Sequence, residues 1–370
     1  MTKLLILTLS ALGLAGLSHA TSWYERRDMR YVRREWLAYL MMAVVLVFFA
    51  GFRTRYNDTV FYLHAYQLLT PGPLLAQIDW RPGSSPLFQI VNQLLVNLGV
   101  GQQTFLLFYA ALTVGIYLWF IRKYTSHIWL SIFLFLMAGT YTFTLAAVKQ
   151  CMAVALCLVG TDRALRRRWD SFALWVLLGA GFHVYALVYL VVPLLCFRPW
   201  TGRTYVLWLG ALAFGVLPQP LMGLVVQFTA LLGEEYDATF FDGAGVHPLR
   251  LAVTAVPAVL AFMARKVIWQ KDDRVADVLI NLAIFNAQLM LLALFGTANY
   301  IARFANYFHL FQCLALPLLL RCLDRPGRRL LMAAAVVCYA AYWIYDNLFN
   351  HRFDSLYSAL TLGEYLRAVL

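Results

Sequence analysis

Clusters of ionisable and aromatic residues interrupt an otherwise apolar chain, and the first has the composition of a phosphate site. Arg53, Arg55 and Asp58 lie close together, and Tyr62 and Tyr66 follow them at helical spacing. Arg presents a planar fork of N–H donors that binds phosphate through paired hydrogen bonds, and the aromatic stripe beside it suits a sugar. Asp58 is also a candidate base. The alternative is that these residues are interfacial anchors at the level of the lipid headgroups.

A second polar pair, Lys149-Gln150, interrupts the apolar run from Phe143 to Leu158. A Lys near a helix end can extend to the membrane surface, but the adjacent Gln favours a buried polar pair that faces a cavity. A hairpin over segment 128–162 would place this pair a couple of helical turns below its outer turn.

Two further candidates are His183 and the pair Arg303 and Tyr307. A neutral imidazole can accept a proton from a sugar hydroxyl, although a single His among apolar residues is commonly a hydrogen-bonded core residue. Arg303 and Tyr307 are four residues apart and share one face of a helix, where they would bind a ligand or anchor to headgroups. The cations of all these clusters would together suit a lipid diphosphate, which carries about two negative charges.

The amino-acid composition indicates the class of protein to which these residues belong. Hydrophobic residues make up 62% of the chain and charged residues only 13%, against about 25% charged residues in soluble domains. The chain is therefore an integral membrane protein whose surroundings include the lipid bilayer. A net charge of +12 would suggest nucleic acid in a soluble protein, but 21 of the 30 Lys and Arg residues lie in six short loops. Nucleic acid is therefore not an expected partner.

The six basic loops predict the orientation, since Lys and Arg accumulate in cytoplasmic loops. These loops lie at 26–34, 122–123, 163–168, 198–203, 265–274 and 321–329. Segment 128–162 starts and ends at a basic loop and is predicted to form a hairpin with a turn near Gly139. Segment 171–196 must also go out and return, but its 26 residues are fewer than the roughly 40 that two spans require. It is predicted to be two half-helices that meet near His183 and line a cavity.

The predicted fold is all-α, a polytopic transmembrane bundle of about 10–14 membrane helices with half-helix hairpins included. It forms a single membrane domain over 1–370, in which 53–103 and 218–247 are predicted periplasmic loops and 87–100 is too short for a full span. Residues 1–20 have the pattern of a secretory signal, but a strongly basic loop follows them, which favours an uncleaved first helix.

Familiar enzyme motifs are missing from the sequence. It contains no Gly-rich phosphate loop, no G-x-S-x-G, no H-E-x-x-H and no complete Cys/His metal set. We therefore expect neither a cofactor nor a metal.

The order of these elements resembles the EpsG family of polysaccharide-polymerase-like membrane proteins over roughly 36–320. The shared elements are the Arg-rich segment from Arg53 to Tyr62, Pro82-Gly83, Lys149-Gln150-Cys151-Met152-Ala153, Phe182-His183, and Arg303-Phe304-Ala305-Asn306-Tyr307-Phe308. Lys149 departs from the family, which usually has Arg there, and this change keeps the charge but loses the bidentate geometry. Arg81 departs as well, because an acidic residue is expected at its position.

The resemblance implies a Wzy-type polymerase, a metal-independent glycosyltransferase of the bacterial inner membrane. It would join oligosaccharide repeat units carried on undecaprenyl diphosphate into exopolysaccharide or O-antigen-type polymer at the periplasmic face, with a chain-length regulator protein as a plausible partner. The implied diphosphate ligands are Arg53, Arg55, Lys149 and Arg303, the implied bases are His183 or Asp58, and Tyr62, Gln150 and Tyr307 complete the substrate site.

Two other functions stay open on the sequence alone. A flippase or exporter of the same lipid-linked sugars would also need an outward basic cavity, but should place cations through the depth of the bundle. A membrane acyltransferase that modifies surface sugars would place its key His near the cytoplasmic side, where His127 is the candidate.

Overall fold

The chain folds into a bundle of helices, as the sequence predicts. The computed structural model describes residues 2–25, 29–76, 78–216, 245–295 and 298–369, together with the single positions 223, 227 and 230. Most of the predicted loop 218–247 therefore lies outside the described residues.

The helices follow one another closely along the chain. The first part of the chain contains α1 (Thr2–Thr21), α2 (Leu37–Gly51), α3 (Thr59–Gln67), α4 (Pro86–Asn97), α5 (Gln102–Tyr124), α6 (Ile128–Met137), α7 (Thr140–Ala146), α8 (Val148–Leu165), α9 (Trp169–Phe182) and the 3₁₀ helix Val184–Leu195. The second part contains α10 (Gly202–Val216), α11 (Pro248–Met263), α12 (Arg265–Lys271), α13 (Arg274–Phe295), α14 (Ala298–Phe308), α15 (Gln312–Leu320), α16 (Arg325–Tyr345), α17 (Phe353–Leu356) and α18 (Leu362–Val369).

Sheet structure in the described residues is limited to two short antiparallel pairs. Strand β1 (Trp23–Glu25) pairs with β2 (Arg30–Arg33), and β3 (Arg53–Arg55) pairs with β4 (Ser358–Ala359). The second pair joins the segment after α2 to the C-terminal segment of the chain.

The helices differ in whether they are long and apolar enough to cross a membrane. Four helices of the described chain are long and apolar enough to cross a membrane, namely α1, α5, α13 and α16. The count rises to six if the bent pairs α6 with α7 and α11 with α12 are each one span. Shorter apolar helices of the described chain are α2, α9 and the 3₁₀ helix Val184–Leu195. Helix α4, with 12 residues, fits the short helix expected over 87–100.

Helix α5 defines the two ends of the bundle, because its 23 residues rise about 35 Å, slightly more than a hydrocarbon core. At its start, the Gln103 side chain donates to the Gly51 carbonyl oxygen at 2.7 Å. At its other end, Lys123 forms an ion pair with Asp162 near the end of α8. We call the end with Lys123 the basic end and the end with Gln103 the distal end.

Contacts join several of the basic loops to one another. The Arg34 guanidinium donates to the Thr125 carbonyl oxygen and that of Arg122 to the Arg34 carbonyl oxygen, each at 3.2 Å. Arg321 pairs with Asp273 at 3.1 Å. Loops that are far apart in sequence thus meet, which fits their assignment to one side of the membrane.

Both predicted hairpins contain a break at the predicted residue, but the break in the first hairpin is a bend and not a full reversal of the chain. Helix α9 ends at Phe182 and the 3₁₀ helix begins at Val184, so the half-helices meet at His183 as predicted. At Gly139, whose φ of +81° favours glycine, the chain bends by 50° and continues as α7. Helix α8 begins only after Ala147, so Lys149 lies in its first turn and not a couple of turns below the outer turn.

Candidate functional site

The break at His183 places its imidazole against α14. His183 Nδ1 lies 2.9 Å from the hydroxyl oxygen of Tyr307, and the Tyr189 hydroxyl donates to the Tyr307 carbonyl oxygen at 2.9 Å. Tyr307 and Tyr189 are fully buried, whereas His183 is half-buried. The ring is therefore held on one edge by a buried tyrosine and keeps part of its surface accessible.

The start of α8 is fixed to the same helix by a second hydrogen bond. The Gln150 side chain donates to the Arg303 carbonyl oxygen at 2.7 Å. Lys149 and Arg303 are both half-buried, and both act electrostatically on His183. The fold thus brings together Lys149, Gln150, His183, Arg303 and Tyr307, which we call the cationic site.

An aromatic cavity of about 220 Å³ adjoins this site. Tyr62, Tyr66, Phe88 and Lys149 are among its lining residues, and the Lys149 ammonium lies 6.0 Å from the centroid of the Phe88 ring. The buried Tyr62 interacts with the Lys149 backbone and electrostatically with Arg303. Tyr62 therefore belongs to the same group, next to a cavity whose rings suit a sugar or an isoprenoid chain.

Helix α4 closes one side of that cavity by packing tightly against α9. A Cβ atom built on Gly181 would lie 2.5 Å from the Leu87 side chain, so only glycine allows this approach. The amide side chains of Gln89, Asn92 and Gln93 also line the cavity. Aromatic rings and amides together are the usual composition of a site for a polar organic ligand.

Arg53 is bound to the backbone of the distal end. Its side chain is 2% exposed; Nε donates to the Thr59 hydroxyl oxygen at 3.0 Å, and Nη1 donates to the Ala50 carbonyl oxygen. It also interacts electrostatically with Tyr62. Arg53 is thus near the cationic site but engaged in holding the segment after α2, and its binding of diphosphate stays a prediction.

Arg55 and Asp58 are not brought to His183 by any contact of the described residues. Arg55 is exposed and donates to the carbonyl oxygens of Ser355 and Leu356, the latter at 3.3 Å. Asp58 is exposed at the start of α3, where its side chain makes no capping hydrogen bond. Their assigned roles likewise stay predictions.

His127, the candidate for an acyltransferase, has a structural task at the basic end. Its Nδ1 accepts from the Leu130 backbone N–H at 3.2 Å and so caps α6. Its ring stacks on that of His19 with centroids 4.1 Å apart.

A larger cavity of about 310 Å³ at the distal end was missed by sequence reasoning. Its lining includes Arg250, Asn306, Asp346 and His351. Arg250 was one of the few cations outside the basic loops, and Asp346 and His351 lie in a polar and aromatic C-terminal segment. Those two signals were present, but nothing in their spacing indicated that the residues meet. Among the residues that the structure describes, no group of three or more His, Cys, Asp or Glu could hold a metal ion.

Comparison with models of protein families gives a match over most of the chain. The model of the EpsG family matches residues 36–359, whereas no curated protein and no solved structure matches the chain. The matched range contains the entire cationic site and both cavities. Because the match covers most of the sequence, the chain belongs to the EpsG family and is a membrane protein of the polysaccharide-polymerase-like kind.

Proposed function

We propose that the protein polymerises oligosaccharide repeat units carried on undecaprenyl diphosphate, at the periplasmic face of the bacterial inner membrane. The observation that carries the proposal is the cationic site, in which Lys149 and Arg303 act electrostatically on His183 beside an aromatic cavity. Two cations suit a diphosphate with about two negative charges, and the site lies at the end of the bundle away from the basic loops.

The reaction is glycosyl transfer without a metal. A hydroxyl oxygen of the incoming unit forms a bond to the anomeric carbon of the growing chain, and the bond from that carbon to the diphosphate oxygen breaks. The electron pair leaves with undecaprenyl diphosphate. Lys149 and Arg303 would stabilise the negative charge that develops there. Removing one donor of this kind typically lowers the rate of an enzyme about 100-fold.

His183 is the group that would accept or position the hydroxyl proton. The Tyr307 hydroxyl lies 3.4 Å from the His183 carbonyl oxygen, to which it donates. Because the Tyr307 hydroxyl proton is used in that hydrogen bond, the Tyr307 hydroxyl oxygen accepts from His183 Nδ1–H at 2.9 Å. The imidazole then has its free lone pair on Nε2. That tautomer is the one a base requires.

The test is the chain-length profile of surface polysaccharide in a host that lacks this gene. We expect lipid-linked single repeat units to accumulate on the outer face, and the wild-type gene to restore long chains. Arg303→Ala and His183→Ala should leave single units. Accumulation on the cytoplasmic face instead would indicate a transporter, and long chains that lack a modification would indicate an acyltransferase.

A further inference from the structure

The polar cavity, as we call the 310 Å³ space at the distal end, contains side chains that the proposed reaction has not used. It lies among α7, α11, α14 and α16. Its volume is at the lower end of the range of about 300–1,000 Å³ that small-molecule sites occupy. Its lining combines one cation, one carboxylate, amides, imidazoles and tyrosine rings.

The polar groups of this cavity are held in place by hydrogen bonds to each other. Arg250 donates to Asn306 Oδ1 at 3.0 Å. Asp346 Oδ1 lies 3.1 Å from His351 Nδ1 and accepts from the Asn350 side chain at 3.0 Å. These side chains are therefore oriented before any ligand arrives, which lowers the entropic cost of binding.

Two features place the polar cavity next to the cationic site. Asn306, which lines the cavity, is three residues from Arg303 on α14. Ala146, which also lines it, is three residues before Lys149. The junction of α7 and α8 thus separates the two cavities, and one helix, α14, contributes to both.

We infer that the polar cavity is a second saccharide-binding subsite, which holds sugars of one of the two oligosaccharides that the reaction joins. The inference rests on the proposed function, because a polymerase must hold two sugar chains at once. Amide, carboxylate and guanidinium groups suit ring hydroxyls, and the exposed faces of tyrosine rings suit the apolar faces of sugars. The cationic site then binds the diphosphate, and the polar cavity binds sugar rings.

The experiment uses the full-length protein, purified in detergent, and two separate probes. One probe is the free repeat-unit oligosaccharide, released by mild acid from lipid-linked units of the deletion host. The other is undecaprenyl diphosphate without sugar. Dissociation constants for both are measured for wild type, Asn306→Ala, His351→Ala and Arg303→Ala, with His64→Ala as control. His64 is exposed on α3, outside the residues that line either cavity.

We expect Asn306→Ala and His351→Ala to weaken oligosaccharide binding about tenfold each, which corresponds to the loss of one or two hydrogen bonds. Their affinity for undecaprenyl diphosphate should be unchanged. Arg303→Ala should give the reverse pattern, and His64→Ala should equal wild type. His351 is half-exposed, so this variant keeps the test valid if Asn306→Ala does not fold.

Wild-type affinity for the oligosaccharide in both cavity variants would overturn the inference while the proposed function stands. If the variants lose oligosaccharide binding but the wild-type protein forms no polymer from lipid-linked units, the subsite stands and the proposed function fails.

Discussion

His183 Nδ1 and the hydroxyl oxygen of Tyr307 lie 2.9 Å apart, although 124 residues separate them in the chain. This contact joins the break after α9 to α14, which also carries Arg303. It therefore sets both the orientation of the imidazole and its position relative to a cation. Substitutions in this pair and in the residues around it should consequently have different and measurable effects.

Removing the tyrosine hydroxyl should affect the reaction and leave the fold intact. Tyr307→Phe keeps the ring, which is fully buried, but frees Nδ1 from its partner. We expect polymer formation to fall about tenfold or more, since the imidazole loses its fixed tautomer. The rate is measured with purified protein, and the thermal unfolding midpoint serves as control. An unchanged rate would contradict the role given to this pair.

Lys149 should tolerate the exchange of one cation for another. Lys149→Arg keeps the positive charge beside His183 and restores the residue usual in the family, so long polymer should persist. Lys149→Met keeps the length and removes the charge, and should leave mainly single repeat units. The polymer profile of a complemented deletion host gives the comparison. Long polymer from Lys149→Met as well as from Lys149→Arg would show that the charge is not needed, and single repeat units from both would show that the charge alone is not sufficient.

Arg53 and Arg55 should differ in their effect on stability. Arg53→Ala leaves the Ala50 carbonyl oxygen without this donor in a buried position, at a cost of about 1–3 kcal/mol in addition to lost packing. Arg55 is exposed, so Arg55→Ala should cost less than about 1 kcal/mol. The fraction of folded protein in detergent extracts separates them. Similar yields would contradict the anchoring role of Arg53.

The pair of Asp346 and His351 should make stability depend on pH. The hydrogen bond to Asp346 raises the pKa of His351 above its ordinary value, while burial and the Arg250 charge act against it. A raised pKa stabilises the fold below the ordinary pKa of about 6.5, and this contribution is lost as pH rises through the folded value. Asp346→Asn should therefore lower the unfolding midpoint more at pH 5.5 than at pH 8.5. A difference that grows toward pH 8.5 would have the wrong sign.

Much of the fold follows from the sequence because its causes are local. The charge of a loop and the length of an apolar run can each be read from one segment alone. The order of helices and the break at His183 could therefore be predicted. The position of Lys149 could not be predicted in this way. The hairpin was inferred only because both ends of segment 128–162 are basic loops, and this does not reveal that a separate short helix, α7, begins after Gly139.

The site was predicted in part for a similar reason. Lys149, His183 and Arg303 stand out as polar residues within apolar runs. Because a polar residue in a membrane is costly to bury, each of them could be identified as a candidate site residue without knowledge of its partners. The polar cavity depends on contacts between α11, α14 and the segment after α16, and no spacing within one segment encodes them. The sequence position of Arg55 suggested phosphate binding, which stays a prediction, and it gave no sign of the hydrogen bonds that Arg55 makes to the segment 355–356.

The most direct test of the central claim uses purified protein in proteoliposomes with lipid-linked repeat units from the deletion host. Wild type should form a ladder of polymers and release one undecaprenyl diphosphate for each bond made. Arg303→Ala should reduce both about 100-fold, and Arg367→Ala, an exposed Arg of α18, should match wild type. If wild type yields neither polymer nor undecaprenyl diphosphate, or if Arg303→Ala is as active as Arg367→Ala, the account is contradicted.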